Sequence, residues 1–160
     1  MENTFAYQMN AFAPTSEIKG RLDLDVNLNN FAGVVDTTQA SALLPGDPVV
    51  IVTTSTGLPH FAKAAVGGLV FGYVKWSAKK ASYKAGDAVE VACGGDVMYM
   101  EANAATDAGA AVNIADLANV RIAAAAAGKS VIGYTMEKAG AQGDLVRVLI
   151  GAPVVLTANA

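Results

Sequence analysis

A Gly-centred turn followed by a β-branched run recurs along this chain and constrains its fold more than any other feature. The turn reads Pro-Gly-Asp at 45–47, Ala-Gly-Asp at 85–87, Ala-Gly-Ala at 108–110 and Gln-Gly-Asp at 142–144. Glycine supplies the positive φ that such turns need, and aspartate bonds nearby backbone. The alternating valine and isoleucine after each turn is typical of a β-strand. The predicted turn residues are Gly46, Asp47, Gly86, Asp87, Gly109, Gly143 and Asp144.

Other segments add strands to this pattern. Residues 69–75, 96–101, 130–137 and 153–157 are further strand candidates, and Gly94-Gly95 between two apolar runs predicts a two-residue hairpin. About eight short strands separated by turns predict an all-β fold, a small β-barrel or sandwich. The alanine-rich segment 115–127, which ends before Gly128, predicts one short helix or an ordered loop.

Composition changes near residue 45. Residues 1–44 are rich in Asn, Thr, Ser and Asp without a lasting period, which predicts an extended N-terminal arm with short ordered pieces. Residues 45–160 form the predicted barrel domain. An arm that carries isolated aromatic residues usually docks on another surface, and the alternative is that these residues pack on their own domain. These residues are Phe5, Tyr7 and Phe12.

Four lysines lie close together between residues 75 and 84, beside Trp76 and Tyr83. Trp and Tyr are favoured at protein interfaces, so this segment predicts a loop that meets an acidic partner surface through Trp76 and Tyr83. The alternative is a solvated connection anchored by an aromatic side chain.

Composition excludes several classes of protein. Apolar residues make up 53% of the chain, which excludes disorder for most of it. A net charge of −3 without a basic tract argues against a nucleic-acid partner. The single Cys93 and single His60 exclude a disulfide framework and Cys-rich or multi-His metal sites. We expect no signal peptide, because the start of the chain has Glu2 and no apolar run. We expect no membrane association, because no apolar run reaches the roughly 20 residues of a spanning helix.

The sequence offers little that looks catalytic. Gly128-Lys129-Ser130 ends like a phosphate-binding loop, but Ala123 stands where that motif needs its first glycine. The segment 23–27 opens like a calcium loop, but Leu28 replaces the glycine that the loop requires. We therefore predict no catalytic residue, no cofactor and no enzymatic activity. A small hydrolase built around His60 or an aspartate is the alternative.

The order of these motifs resembles the structural cement, or capsid decoration, proteins of tailed bacteriophages. The resemblance covers roughly residues 44–151. It rests on FGYV at 71–74, YKAGDAVEV at 83–91, VIGYTME at 131–137 and AQGDLVRVL at 141–149. This chain departs from the family pattern at Ala110, where an aspartate is usual, and along 115–127.

This resemblance implies a β-barrel that assembles as a homotrimer and has no catalytic residues. Its partners would be the major capsid protein and further copies of itself, with no nucleic acid and no membrane. The arm residues Phe5, Tyr7 and Phe12 would contact the capsid or a neighbouring copy. It would be made in the host bacterial cytoplasm and would sit on the outer surface of the expanded capsid, at three-fold and quasi-three-fold positions. There it would clamp capsid subunits against the pressure of packaged DNA. The alternative is a trimeric virion protein, an adhesin or tail-associated part, that binds a host glycan or receptor.

Overall fold

The strands expected after the Gly-Asp turns are present in the computed structural model, which describes residues 19–20, 31–52 and 57–157. Within these residues the chain forms twelve short strands and no helix, which confirms the all-β prediction. The strands are β1 Phe31–Val35, β2 Pro48–Ile51, β3 His60–Lys63, β4 Leu69–Val70, β5 Gly72–Val74, β6 Ala88–Ala92, β7 Val97–Ala102, β8 Ala111–Asp116, β9 Arg121–Ala124, β10 Gly133–Thr135, β11 Leu145–Ile150 and β12 Val154–Val155.

Ten of these strands close into two five-stranded barrels. The first barrel has the order β1-β3-β2-β5-β6, and the second has the order β10-β11-β7-β9-β8. Strand β1 pairs parallel with β3 and antiparallel with β6. Strand β7 likewise pairs parallel with β9 and antiparallel with β11. The remaining pairings also correspond, so the second barrel repeats the topology of the first, strand for strand.

Individual hydrogen bonds repeat between the two barrels as well. The amide of Val35 donates to the carbonyl of Asp87 over 2.8 Å, and the amide of Ala102 donates to that of Asp144 over the same distance. A glycine lies at equivalent points of β5 and β10. A Cβ added there would lie 2.3 Å from a carbonyl oxygen of the neighbouring strand in each barrel. The single barrel domain expected from sequence is therefore a tandem pair of equivalent barrels.

The turns before three of the strands share one geometry. Gly46, Gly86 and Gly143 have φ of 88°, 84° and 92°, the left-handed value that position i+2 of a type II turn requires. The aspartate that follows each glycine accepts a hydrogen bond from the amide three residues before it, for example that of Lys84 to Asp87 Oδ2 over 2.8 Å. The recurring sequence pattern thus encodes a turn closed by its own carboxylate.

The turn before β8 lacks this aspartate, because Ala110 occupies the position. Here the buried Thr135 hydroxyl donates to the carbonyl of Asp107 over 2.7 Å and lies 3.1 Å from the Ala110 amide, from which it accepts. Gly46 bonds the carbonyl of Val74 where Gly109 bonds that of Thr135. A hydroxyl from β10 therefore bonds this turn from outside, because the turn has no aspartate after its glycine.

An ion pair between strands is present in the first barrel and absent from the second. Asp47 is 1% exposed, and its Oδ1 lies 2.9 Å from Lys63 Nζ. Among the described residues, no group forms a hydrogen bond of good geometry with Oδ1. The nearby Lys63 ammonium therefore compensates for the charge of the carboxylate by proximity. The equivalent positions in the second barrel are Ala110 and Ala124, so both charges are absent there together.

Gly94-Gly95 does not form the predicted hairpin. Strands β6 and β7 belong to different barrels and do not pair, so the two glycines lie in the link between the barrels. The turn is nevertheless tight, since Asp96 Oδ2 accepts from the amide of Cys93 over 2.9 Å. Gly95 donates to the carbonyl of Ile150 over 2.9 Å, which holds the link against the end of β11.

The alanine-rich segment 115–127 is also not helical. It completes β8, turns and continues through β9, with Ile114 opposite Ile122 in the ladder. Asp116 closes the turn by accepting from the amide of Asn119 over 3.1 Å. Ile114, Val120 and Ile122 are all buried, so burial of β-branched side chains in the barrel outweighs the helix preference of alanine.

The buried residues form two clusters. One fills the first barrel, around Val49, Phe61 and Val91. The other fills the second barrel and continues onto the outside of the first, where it includes Tyr73 and Ala92. The pairing of β12 with β4, with Val154 opposite Val70, also joins the two halves. Residues 31–44, which the sequence analysis assigned to the arm and its short ordered pieces, contribute β1 to the first barrel.

Candidate interaction surface

A shallow apolar groove of about 410 Å³ lies at one end of the first barrel, beside the link to the second. Phe31, at the start of β1, is 44% exposed and packs edge-on against Phe71, with ring centroids 5.4 Å apart. Phe71 in turn packs on the core residue Phe61. The groove is lined by Phe31, Phe71, Cys93, Gly94, Gly95, Ile150, Gly151, Ala152 and Pro153.

Cys93 lines this groove but is poorly suited to nucleophilic chemistry. Its side chain is buried, and burial, followed by the nearby Asp96 carboxylate, raises the pKa of the thiol to about 11. Thiol reactivity depends on the thiolate, which is scarce at neutral pH when the pKa is this high. The thiol therefore acts as a small apolar side chain at the end of the barrel.

A second apolar surface lies on the outer face of the second barrel. Tyr134 on β10 stands opposite Leu149 on β11, and their exposed fractions are 50% and 39%. Met136, two residues after Tyr134, is 49% exposed. Arg147 borders this face and is paired with Glu137 at 3.3 Å. We call Tyr134, Met136 and Leu149 the β10–β11 patch.

The aromatic residues predicted to contact partners differ in where they lie. Phe5, Tyr7 and Phe12 lie outside the described residues. Trp76 is half-buried, and its amide donates to the carbonyl of Gly20 over 2.8 Å. The amide of Gly20 donates to the carbonyl of Tyr99 over 2.8 Å, so residue 20 bridges the two barrels beside Trp76.

Tyr83 has no exposed face of the kind an interface needs. It is 5% exposed, belongs to the core of the first barrel, and donates its hydroxyl to the carbonyl of Lys75 over 3.2 Å. Burial raises the pKa of its phenol. The lysine cluster is also divided, because Lys75 is buried while Lys80 is exposed and pairs with Asp87 at 2.8 Å. The structure brings Trp76, but not Tyr83, to a partly exposed position.

His60 opens β3 and lies beside a carboxylate. Its Nδ1 is 3.2 Å from Asp36 Oδ2. Hydrogen bonds from the hydroxyl and amide of Thr38 hold the pKa of Asp36 below its usual value. Hydrogen bonds within or beside their own turns also lower the pKa values of Asp87 and Asp116. These carboxylates are suited to closing turns, whereas a general acid near neutral pH needs a raised pKa.

The remaining sequence motifs either stabilise the fold or lie outside the described residues. Ser130, at the end of the phosphate-loop-like segment, donates its hydroxyl to the carbonyl of Val155 and so fastens this turn to β12. The calcium-loop-like segment 23–27 lies outside the described residues. Among residues 19–20, 31–52 and 57–157, no group of three or more His, Cys, Asp or Glu side chains could hold a metal ion. No helix in this part of the chain could span a membrane.

Sequence reasoning missed the role of Phe71, Tyr134 and Leu149 at these two surfaces. It assigned Phe31 to the arm, within residues 1–44. A signal was present, since the VFGY of residues 70–73 and the VIGY of 131–134 are near copies. Both copies are strands with a tyrosine facing away from the barrel interior. Sequence could not reveal that the first tyrosine is buried between barrels while the second is exposed.

The comparisons with known proteins relate this chain to a phage protein by fold. No family model matches the chain, and no curated protein matches it by sequence. Among solved structures it is similar to the head fiber gp8.5 N base of bacteriophage phi29. The TM-score is 0.52 with 15% sequence identity, over 84% of this chain and all of the phage chain. The chain therefore has the same fold as the base of a phage head fiber.

Proposed function

We propose that this chain is a structural protein of a tailed-phage virion that sits on the outer surface of the capsid. In this role it acts as a cement or decoration protein. It forms a homotrimer at three-fold and quasi-three-fold positions, binds neighbouring subunits of the major capsid protein and holds them together after the shell expands. The observation that carries the proposal is the shared fold, which extends over the whole of the phage head fiber base.

The exposed surfaces of the chain support such a role. The apolar groove beside Phe31, which we call the Phe31 groove, and the β10–β11 patch are the two apolar surfaces. Apolar surface of this kind, bordered by charged side chains, is typical of protein–protein contacts. A protein that binds only the expanded shell stabilises that state by mass action, and three linked copies strengthen modest individual contacts by avidity.

A virion protein that binds a host glycan or receptor is the second candidate. The pair of Phe31 and Phe71 rings favours it, because sugar rings pack against aromatic faces. The rest of the groove argues against it. Its lining consists of Cys, Gly, Ile, Ala and Pro, so hydrogen bonds to sugar hydroxyls would have to come from backbone groups.

The proposed role involves no catalysis and no cofactor. The small-hydrolase alternative calls for a cleft with a carboxyl group of raised pKa, whereas Asp36, Asp87 and Asp116 have lowered pKa values. Their hydrogen bonds serve turns.

The proposal is tested by adding the purified chain to heads assembled from the major capsid protein of the same phage. Expanded heads should bind it and survive heating to a higher temperature, whereas unexpanded heads should bind little. A chain that lacks residues 1–18 should keep its barrels and bind expanded heads more weakly, because the predicted arm contacts are removed. Equal sedimentation of the full chain with and without expanded heads would overturn the proposal, and binding to host-cell glycans would favour the second candidate.

A further inference from the structure

The equivalence of the two barrels exposes a surface on the second that is covered on the first. In the first barrel, Tyr73 lies opposite Ala92, and both face away from its interior. They are 2% and 0% exposed because they join the buried cluster of the second barrel. The equivalent pair in the second barrel is Tyr134 opposite Leu149, at 50% and 39%. The same face is thus an interior contact in one barrel and open in the other.

The other side of this contact is formed by one end of the second barrel, and there the second barrel is the covered one. The end of the second barrel contains Met98, Ile132 and Ile150, all buried in one cluster with Tyr73 and Ala92. In register, Phe31 opposite Val91 on β6 corresponds to Met98 opposite Val148 on β11. By the same spacing, Phe71 corresponds to Ile132 and Cys93 to Ile150.

These three residues of the first barrel line the apolar groove. This end is fully buried in the second barrel, whereas in the first it is open at Phe31, with Phe71 partly exposed and Cys93 buried. The β10–β11 patch and the Phe31 groove are thus the equivalents of the two surfaces that meet where the two barrels join within the chain.

We propose that the β10–β11 patch of one copy packs against the Phe31 groove of a second copy and so repeats, between chains, the contact that joins the two barrels within a chain. The occupant of each open surface is thus another copy of this chain. This inference rests on the self-association contained in the proposed function and names the surfaces that carry it.

The chemistry of the two surfaces agrees with this pairing. The patch presents a tyrosine, a methionine and a leucine, and the groove presents two phenylalanine rings above a floor of small residues. Aromatic and methionine side chains are enriched in the cores of such interfaces. Beside the patch, Arg147 and Glu137 neutralise each other in one ion pair.

The contact is head-to-tail, because it joins two different surfaces. Such a contact generates a closed ring or an open filament, depending on the rotation between copies. Three copies would close a ring of six barrels in which contacts within and between chains alternate. The arrangement reconciles a homotrimer with a chain that carries two equivalent barrels.

The surfaces are tested by the mass of the protein in solution. Tyr134→Asp combined with Leu149→Asp places two charges in the patch, and Phe31→Asp places one at the groove. Each change should lower the mass from three chains to one, with an unchanged far-ultraviolet circular dichroism spectrum. Leu58→Asp is the matched control, because Leu58 is 62% exposed outside both surfaces, and it should leave the trimer intact. A wild-type monomer, or a trimer that persists in both variants, would overturn the inference.

The head-to-tail orientation is tested by disulfide trapping in a Cys93→Ala background. Tyr134→Cys and Phe31→Cys proteins, mixed and oxidised, should cross-link to each other far more than either does to itself. A Tyr134→Cys homodimer as the main product would overturn the head-to-tail arrangement.

The proposed function fails separately from this inference. A protein that trimerises through the two surfaces but ignores expanded heads contradicts the capsid role alone. A monomer that binds heads contradicts the inference and the homotrimer but leaves the capsid-binding role intact.

Discussion

The Asp47–Lys63 pair offers a quantitative test of the repeat, because the second barrel has alanine at both equivalent positions. Lys63→Met keeps the apolar stem and removes the ammonium, which leaves a 1%-exposed carboxylate 2.9 Å from where its counter-charge was. Two unit charges at that distance attract by about 6 kcal/mol at an effective dielectric constant of about 20. Breaking a buried pair from one side costs about 3–5 kcal/mol.

Because Lys63 is 29% exposed, water compensates for part of the lost charge, and we expect Lys63→Met to lower the free energy of unfolding by about 3 kcal/mol. At about 2–4 °C per kcal/mol for a chain of this size, the melting temperature should fall by about 6–12 °C. Asp47→Ala removes the acceptor of the Leu44 amide, worth about 1 kcal/mol, and leaves a lysine that can extend into water.

The double variant Asp47→Ala/Lys63→Met should therefore be more stable than Lys63→Met alone, by about 1–2 kcal/mol. Urea denaturation at pH 7, followed by circular dichroism, measures all three variants. Lys138→Met is the control, since its pair with Asp107 is 3.9 Å long and largely exposed, and it should change stability by less than about 0.5 kcal/mol. A double variant no more stable than Lys63→Met would refute the reasoning.

Three further predictions follow from the barrels and their turns. Gly133→Ala places a Cβ 2.3 Å from the carbonyl oxygen of Leu149, so it should lower the free energy of unfolding by about 2–4 kcal/mol, through overpacking and a weakened ladder. Gly140→Ala, whose nearest neighbour is a side-chain oxygen at 3.3 Å, should cost less than about 1 kcal/mol in the same denaturation assay. Hydrogen bonds from a lysine ammonium and a backbone amide lower the pKa of Asp87 below 3.8, so the stability it adds is present above that pH and is lost as the pH falls further. Thermal melts of Asp87→Asn should therefore differ from wild type above about pH 5 and converge with it in stronger acid; a constant difference would contradict this origin. Burial raises the pKa of Cys93 from 9.0 to about 11, so the native thiol should react with an aromatic disulfide reagent at pH 7.5 at least about a hundredfold more slowly than the unfolded chain, and equal rates would contradict its burial.

The turns were the part of the fold that sequence could predict. A glycine at i+2 and an aspartate at i+3 are local requirements, so Gly86-Asp87 and Gly143-Asp144 specify their turns without help from distant residues. The strands after them follow from β-branched alternation. Of the two alternatives predicted for 115–127, a short helix or an ordered loop, the helix did not form, because alanine preference is weak beside the burial of Ile114 and Ile122 in a closed barrel.

The pairing of strands lay beyond local reasoning. Gly94-Gly95 has the sequence of a hairpin, yet its flanking strands pair with partners in different barrels, and only the closed topology decides this. For the same reason the repeated turns and the repeated Val-x-Gly-Tyr segments were visible, but a single barrel was inferred from them. Tyr73 and Tyr134 have nearly identical sequence surroundings, and their different exposure depends on how the two barrels pack.

The central claim, a self-associating virion protein that binds the expanded shell, is tested most directly by its mass in solution and on capsids. Light scattering of the purified protein should give three times the chain mass of 16.3 kDa. The same species should sediment with expanded heads and stay in the supernatant with unexpanded ones. A species of one chain that remains in the supernatant with both kinds of head would contradict the account.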